Sequence, residues 1–289
     1  MKSLALVVAV TLAGAGLALA AADGGQRLDG GWPVVVLLVL VAYLLNWAVY
    51  LPSFLRRTER FFDLTGSLTF GLLTVLALVL AQDRDARAWV LGAMVLLWAL
   101  RLGSFLFRRI LASGSDGRFD ELKQSWSRFL LVWSTQALWV VFTAGAALTA
   151  ITSQERLPLG WLAGVGIGLW VLGFALEATA DAQKAAFRAD PANQGRFIST
   201  GVWAWSRHPN YVGEILLWLG VALVALPVLS GWQYLTLLSP VLIYLQLRFA
   251  SGVPPLERRA DARWGGQQDY EAYKRSTPVL LPVPGGRSR

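Results

Sequence analysis

Arg207-His208-Pro209-Asn210-Tyr211-Val212-Gly213-Glu214 sets a guanidinium, an imidazole, an amide, a phenol and a carboxylate directly ahead of the apolar run Ile215 to Leu229. Polar groups this dense at the head of a hydrophobic helix are costly to desolvate unless they bind something. From Asn210 onward the stretch is long enough, as a helix, to cross a hydrocarbon layer roughly 30 Å thick. Runs of the same kind recur at 33–51, 64–81, 89–107, 129–150, 159–179 and 232–250. One more, 3–22, follows Lys2 and ends in Ala18-Leu19-Ala20. It reads either as a further membrane helix or as a secretory signal with a small-residue cleavage site.

The chain is 55% hydrophobic and 15% charged, with a mean hydropathy of +0.50, well outside the range of soluble domains. Strand-period alternation is absent, so the expected fold is an all-α polytopic membrane protein. Seven core helices form a bundle, with the N-terminal apolar segment 1–22 as an eighth helix or a signal. The expected organisation is one transmembrane domain over 32–250, with a tail or lid over 251–289 belonging to it.

There are no cysteines and a single histidine. Disulfides, thiolate nucleophiles, iron–sulfur clusters and two-imidazole metal sites are thereby excluded, and no metal is expected. The net charge of +8 sits in loops and tail, without a soluble domain to carry nucleic acid. It reads as membrane topology or anionic-ligand binding, with membrane lipids as partners. Loops on one side carry only Arg27, Arg84, Arg87 and Arg156. The other side carries Lys2, the cations of 56–60, 108–128 and 184–207, and seven in the tail, twenty in all. That asymmetry requires every segment to cross and places the C-terminus in the cytoplasm, of a bacterial inner membrane.

Gly160, Gly164 and Gly168 recur every four residues and suggest a close helix-packing ridge. No strand precedes them, so they are no dinucleotide loop.

Polar residues gather in four clusters. Arg56 to Asp63 places Glu59 and Asp63 four apart, on one helical face. Arg101 follows Trp98 in an otherwise apolar helix, where it faces a polar cavity or an acid, or snorkels toward the interface. Glu177, Asp181, Lys184 and Arg188 share one face of a helix leaving the membrane, the acids suited to ribose hydroxyls and an amide. The cations, with Arg196, suit phosphates. The tail interleaves Arg259, Arg263, Tyr270, Tyr273 and Lys274 with prolines and acids, as an ordered lid would.

The run Arg207-His-Pro-Asn-Tyr-x-Gly-Glu214 resembles the signature of the steroid 5α-reductase (3-oxo-5α-steroid 4-dehydrogenase) family. So do Glu177-Ala-x-Ala-Asp181-x-Gln183, Gly252-Val-Pro-Pro-Leu-Glu257 and Tyr270-x-x-Tyr273, while Phe62 to Ser67 and Trp98-Ala-Leu-Arg101 resemble its bacterial branch. The likeness runs over roughly 45 to 283. It implies seven membrane helices and NADPH-dependent reduction of the carbon–carbon double bond of a 4-ene-3-oxosteroid or related lipophilic enone. It also implies that Asp181, Arg188, Arg196, Asn210, Glu214 and the tail surround NADPH. Glu177, Lys184, His208 and Tyr211 join that candidate cofactor set, His208 as a structural or phosphate-facing hydrogen bond. The animal enzymes carry a glutamate before Leu-Pro-Ser-Phe; here Tyr50 precedes Leu51-Pro52-Ser53-Phe54, and Trp98 stands where a tyrosine would.

Hydride attack on an enone builds negative charge on the carbonyl oxygen, and a donor aimed there lowers the barrier. Tyr50, or a protonated Glu59 or Asp63, is the candidate donor, with Trp98 and Arg101 beside it. Two other classes share features with this chain. A membrane methyltransferase of the isoprenylcysteine or phospholipid type carries a similar Arg-His-Pro-x-Tyr motif and uses S-adenosylmethionine. A transporter would show intramembrane charges recurring along the helices or an inverted repeat, and neither is present.

Overall fold

The computed structural model describes residues 2–281. Residues 282–289 of the expected tail, including Arg287 and Arg289, lie outside them. Among the described residues there is no strand, only two isolated bridges, Gly25 with Ser153 and Arg27 with Pro33. Eight helical stretches are long and apolar enough to cross a membrane, one for each run read from the sequence. The chain is an all-α polytopic integral membrane protein.

It divides into two compact units: Met1–Gly164 with Val221–Ser239, and Val165–Gly220 with Pro240–Arg289. The first unit contains α1 (Lys2–Ala21), α2 (Val34–Leu55), α3 (Phe62–Leu80), α4 (Ala86–Ser113) and α5 (Trp126–Ile151). α3 packs on α4, and α1 and α2 pack on α5. The segment 3–22 is built into this unit as α1: Tyr43 Oη donates to the Val10 carbonyl at 2.8 Å. A Cβ on Gly14 would stand 2.5 Å from that same hydroxyl. Gln233 Nε2 reaches the α1 carbonyl of Ala21 at 3.5 Å.

The polarity of this unit is that of a protein in lipid. Leu40, Leu44, Leu55, Val79 and Leu100 are exposed, whereas Asn46, Thr69, Thr74 and Ser134 are fully buried. Apolar surround gives such groups no water, so each must find a partner within the bundle. Thr69 and Thr74 donate to carbonyls one turn back. Asn46 Nδ2 donates to the Ala42 carbonyl and to Thr69 Oγ1, and its Oδ1 accepts from Gln136 Nε2 at 2.9 Å. The same amide of Gln136 donates to the Phe62 carbonyl, which ties α2, α3 and α5 together without any charge.

Caps follow the local chemistry. Asp85 Oδ1 accepts from Ala88 N–H at 2.9 Å to start α4, and Gly114, at φ +78°, ends it in a conformation other residues rarely adopt. Arg87, assigned to an outer loop by the charge count, is 2% exposed and donates to the Pro158 carbonyl at 2.9 Å and to the Val224 carbonyl. Its cation is solvated by carbonyls of an interhelical loop and of the last turn of another helix.

The second unit holds α6 (Trp161–Ala189) from Val165 on, α7 (Pro209–Ala225) up to Gly220, α8 (Ser239–Leu245), a π-helical turn at Gln246–Ala250, α9 (Val253–Trp264) and α10 (Gln268–Ser276). The expected glycine ridge is corrected here. A Cβ on Gly160, Gly164 or Gly168 would meet nothing within 4 Å. The close seam is made instead by Gly166 and Gly173 of α6 against Gly220 and Gly213 of α7. A Cβ on Gly213 would lie 2.5 Å from the Gly173 carbonyl, and one on Gly173 would lie 2.6 Å from Leu217 N. An α-helix turns about 100° per residue, so Gly166 and Gly173 share a face while Gly164 and Gly168 point away from it.

α6 also runs ten residues beyond the apolar stretch read over 159–179, which carries its charged residues out of the membrane on one continuous helix. α9 begins with Pro254 and Pro255 in its first turn, where the missing N–H groups cost nothing.

Candidate functional site

The polar residues of α6, the 190–208 loop, α9 and α10 enclose a cavity of about 340 Å³ within the second unit. Its framework is the loop ahead of α7. Gln183 Oε1 accepts from Val202 N–H at 3.0 Å, and Trp203 Nε1 donates to the Ala180 carbonyl at 3.1 Å, so the loop folds back on α6. Lys184 Nζ then lies 4.3 Å over the Trp203 ring. Ser206, fully buried, accepts from His208 N–H at 3.2 Å and turns the chain into α7.

One carboxylate closes the ring. Glu257 of α9 receives Arg207 Nη1 on Oε2 at 2.6 Å and contacts His208 Nε2 through Oε1 at 2.8 Å. His208 also stacks on Tyr211, ring centroids 5.4 Å apart and planes 10° from parallel. Burial pushes the His208 imidazole below its ordinary value of 6.5; Glu257 opposes this, and Lys184 and Arg207 add to it. The ring is therefore neutral at physiological pH. The unfolded chain takes up a proton first on acidification, so this contribution to stability is complete above about pH 6.5 and is lost as pH falls toward the lower folded value. The thermal midpoint of the wild type should drop between pH 7.5 and 5.5, and His208→Gln should flatten that part of the curve.

The far wall is aromatic. Phe197 packs edge-on against Tyr270 at 5.2 Å and Trp264 at 6.0 Å, and tilts over Tyr273 at 5.5 Å. Tyr273 Oη donates to the Trp203 carbonyl at 2.7 Å, and burial holds its phenol up to about 12, so it stays a donor. Tyr270 Oη and Lys274 Nζ both donate to Asp261, at 3.1 and 2.7 Å. That hydrogen bond raises Lys274 above its usual value.

Of the expected cofactor residues, Lys184, Arg188, Arg196, His208, Arg259, Arg263, Tyr270 and Tyr273 line this cavity together. Lys274 buttresses the wall from behind through Asp261. Glu177 and Asp181 are buried on α6, while Asn210, Tyr211 and Glu214 occupy the first turns of α7; none of these five lines the cavity. Members outside the expected cofactor set are Glu257, Arg207, Trp203, Phe197 and Trp264, of which Arg207 and Glu257 stand in motifs read from the sequence. Glu257 carried a readable signal: it directly precedes Arg258-Arg259 after a double proline.

Six cationic side chains against one carboxylate, beside a flat aromatic wall, form a donor set for a ligand that carries several phosphates and a planar ring. NADPH meets that description, and the residues present fit it.

The candidates for substrate chemistry all lie in the first unit. Tyr50 is in an aromatic cluster with Phe119, Phe129 and Trp133, and its hydroxyl donates to the Trp126 carbonyl at 3.0 Å. Glu59 is 4% exposed; it accepts from Asp116 N–H and from Lys123 Nζ, each at 2.8 Å, and raises the lysine's proton affinity. Both act in this structure as anchors of the loops beside them. Trp98 packs edge-on against Phe70 at 5.0 Å. Asp63 stands in the first turn of α3, and the Arg101 guanidinium lies 6.0 Å from the Phe105 ring.

A family model described as a protein of unknown function (DUF1295) matches residues 47–277, and the chain belongs to that family. Over 141 residues it is 28% identical to the Delta(14)-sterol reductase of Saccharomyces cerevisiae, a match covering 45% of this chain and 30% of that protein. Over 161 residues it is 29% identical to the Delta(14)-sterol reductase of Candida albicans, covering 50% of this chain and 33% of that protein. The matches thus span about a third of the length of these curated relatives. No solved structure matches.

Proposed function

We propose that this member of the DUF1295 family is a membrane-embedded reductase that draws on NADPH to saturate the carbon–carbon double bond of a lipophilic enone, with 4-ene-3-oxosteroids as the substrate class. The observation that carries the reading is the cavity of the second unit, with its six cations, aromatic wall and Glu257 closure. The similarity to proteins named sterol reductases supports it. Adenosylmethionine has no phosphate to engage so many cations, which makes the methyltransferase reading the weaker one.

In this proposal NADPH supplies the hydride. Lys184, Arg188, Arg196, Arg259 and Arg263 hold its phosphates, and Tyr270 and Tyr273 supply flat walls. Tyr50, Glu59 and Asp63, with Trp98 and Arg101, are the proposed candidates for polarising the carbonyl. α9 and α10 act as a lid, and the cavity faces the cytoplasm of a bacterial cell, a reading that the charge asymmetry of the loops supports.

The test is protein purified in detergent, supplied with NADPH and a panel of 4-ene-3-oxosteroids and unrelated lipid enones, with loss of the reduced nicotinamide absorbance as readout. Arg263→Ala should raise KM for NADPH by about tenfold or more, as loss of one charge-assisted phosphate contact does, with a smaller effect on kcat. Binding of adenosylmethionine with no NADPH oxidation would overturn the reading.

A further inference from the structure

A second cavity of about 430 Å³ lies against α7 and the segment after α10, also within the second unit. Its walls are mostly apolar: Val212, Ile215 and Leu216 of α7, Tyr244 of α8, and the chain segment Pro278–Leu281. Arg248, on the π-helical turn after α8, is the one charged residue lining it. Among the described residues Arg248 has no hydrogen bond or ion pair; its guanidinium lies 5.1 Å from the ring of Phe249. Two other cations of this unit are paired, Arg207 with Glu257 and Lys274 with Asp261.

A guanidinium set in apolar walls is expensive unless an anion meets it, and its planar fork matches a phosphate oxygen pair. The neighbouring side chains Val241, Leu245 and Phe249 are exposed and apolar, the surface a bilayer covers in an integral membrane protein. A ligand reaching this cavity from there has a hydrocarbon chain and brings its charge at one end. A π-helical turn, which inserts an extra residue into the ladder, is a common device for setting a side chain at a binding site.

We propose that this cavity is a binding site for one anionic phospholipid, its acyl chain along Ile215, Leu216, Val279 and Leu280 and its phosphate on Arg248. The occupant would also brace the tail, because the Pro278 carbonyl accepts from Arg207 N–H at 2.9 Å and the Val279 carbonyl from Ser206 Oγ at 3.5 Å. The site is independent of the reductase reading.

The experiment uses the full chain, delipidated in neutral detergent and titrated with phosphatidylglycerol or with phosphatidylcholine of the same acyl chains. Thermal midpoint and retained lipid phosphorus per chain are the readouts. Phosphatidylglycerol should stabilise the wild type and remain bound, and Arg248→Gln should weaken it by about tenfold or more. Arg248→Lys should keep part of the effect. Val279→Trp, which fills the groove and leaves Arg248 in place, should abolish it, and serves where Arg248→Gln fails to fold. Equal stabilisation by the two lipids, an unchanged Arg248→Gln, or full replacement of the lipid effect by inorganic phosphate would each overturn the proposal.

Discussion

Gly213→Ala is expected to unfold or splay the second unit, whereas Gly168→Ala on the facing helix is expected to leave it intact. A methyl on Gly213 would sit 2.5 Å from the Gly173 carbonyl oxygen and 2.7 Å from Glu177 N. Both are backbone atoms of α6, so no rotamer change relieves the contact and the helices must part. Overpacking of this kind costs about 1–3 kcal/mol, and more where backbone has to move. The damage reaches the cavity, because Lys184 and Arg188 ride on α6 while the Arg207–His208 turn leads into α7. NADPH binding should therefore fall together with the thermal midpoint. At Gly168 a methyl meets nothing within 4 Å, and alanine is the better helix former by up to about 1 kcal/mol. Melting curves of the two variants in the same detergent decide the matter; equal behaviour would mean that the α6–α7 seam is not where the structure puts it.

Glu257→Ala should weaken NADPH binding by about thirtyfold or more. Among the described residues the carboxylate is the one side-chain acceptor for both Arg207 and His208, whose side chains are 15% and 7% exposed. Removing one partner of a largely desolvated charged pair costs about 2–5 kcal/mol, chiefly because the other is left buried and unmatched. Two kcal/mol already corresponds to about thirtyfold in affinity. α9 would lose its tie to the turn ahead of α7, and with it the placement of Arg259 and Arg263. Glu257→Gln, which keeps an amide oxygen as acceptor, should recover part of the loss. Lys274→Ala is the contrast: its pair with Asp261 is half-exposed, and such pairs contribute about 0–1 kcal/mol. Isothermal titration with NADPH in detergent separates the three. A Lys274→Ala loss as large as that of Glu257→Ala would place the phosphate contacts on α10 instead.

The eight membrane spans were legible because hydrophobicity and length are local properties: each run read from the sequence has its counterpart, and in the first seven only the ends moved. α4 and α6 extend past their apolar stretches, since charged residues with good helix propensity prolong a helix into water as readily as they end it. The last span was less legible. The run over 232–250 reads as one regular helix, yet it is built from a 3₁₀ stretch at Gly231–Leu238, the seven-residue α8 and a π turn. Ser230 and Gln233 set its start through a capping box that the apolar pattern does not register.

Clusters of like residues also foretold much of the cavity: Lys184 with Arg188 along α6, Arg259 with Arg263 along α9, and Tyr270 with Tyr273 along α10 are pairs at helical spacing, so sequence alone puts each on one face. Glu257 and Phe197 were beyond that reach. Glu257 acts on residues about fifty positions away, and Phe197 sits in a loop with no periodicity, so their roles exist only once α9 and α10 have folded over the 190–208 segment. The same holds for the glycines. Counting found three at a four-residue interval, but a helix face matters only if another backbone comes up to it, and the approaching helix chose Gly166 and Gly173. Composition and period thus settle what crosses the membrane and which side chains share a face. Which faces meet, and which acid neutralises which cation, depends on close approach between segments far apart in the chain, and local pattern carries no information about that.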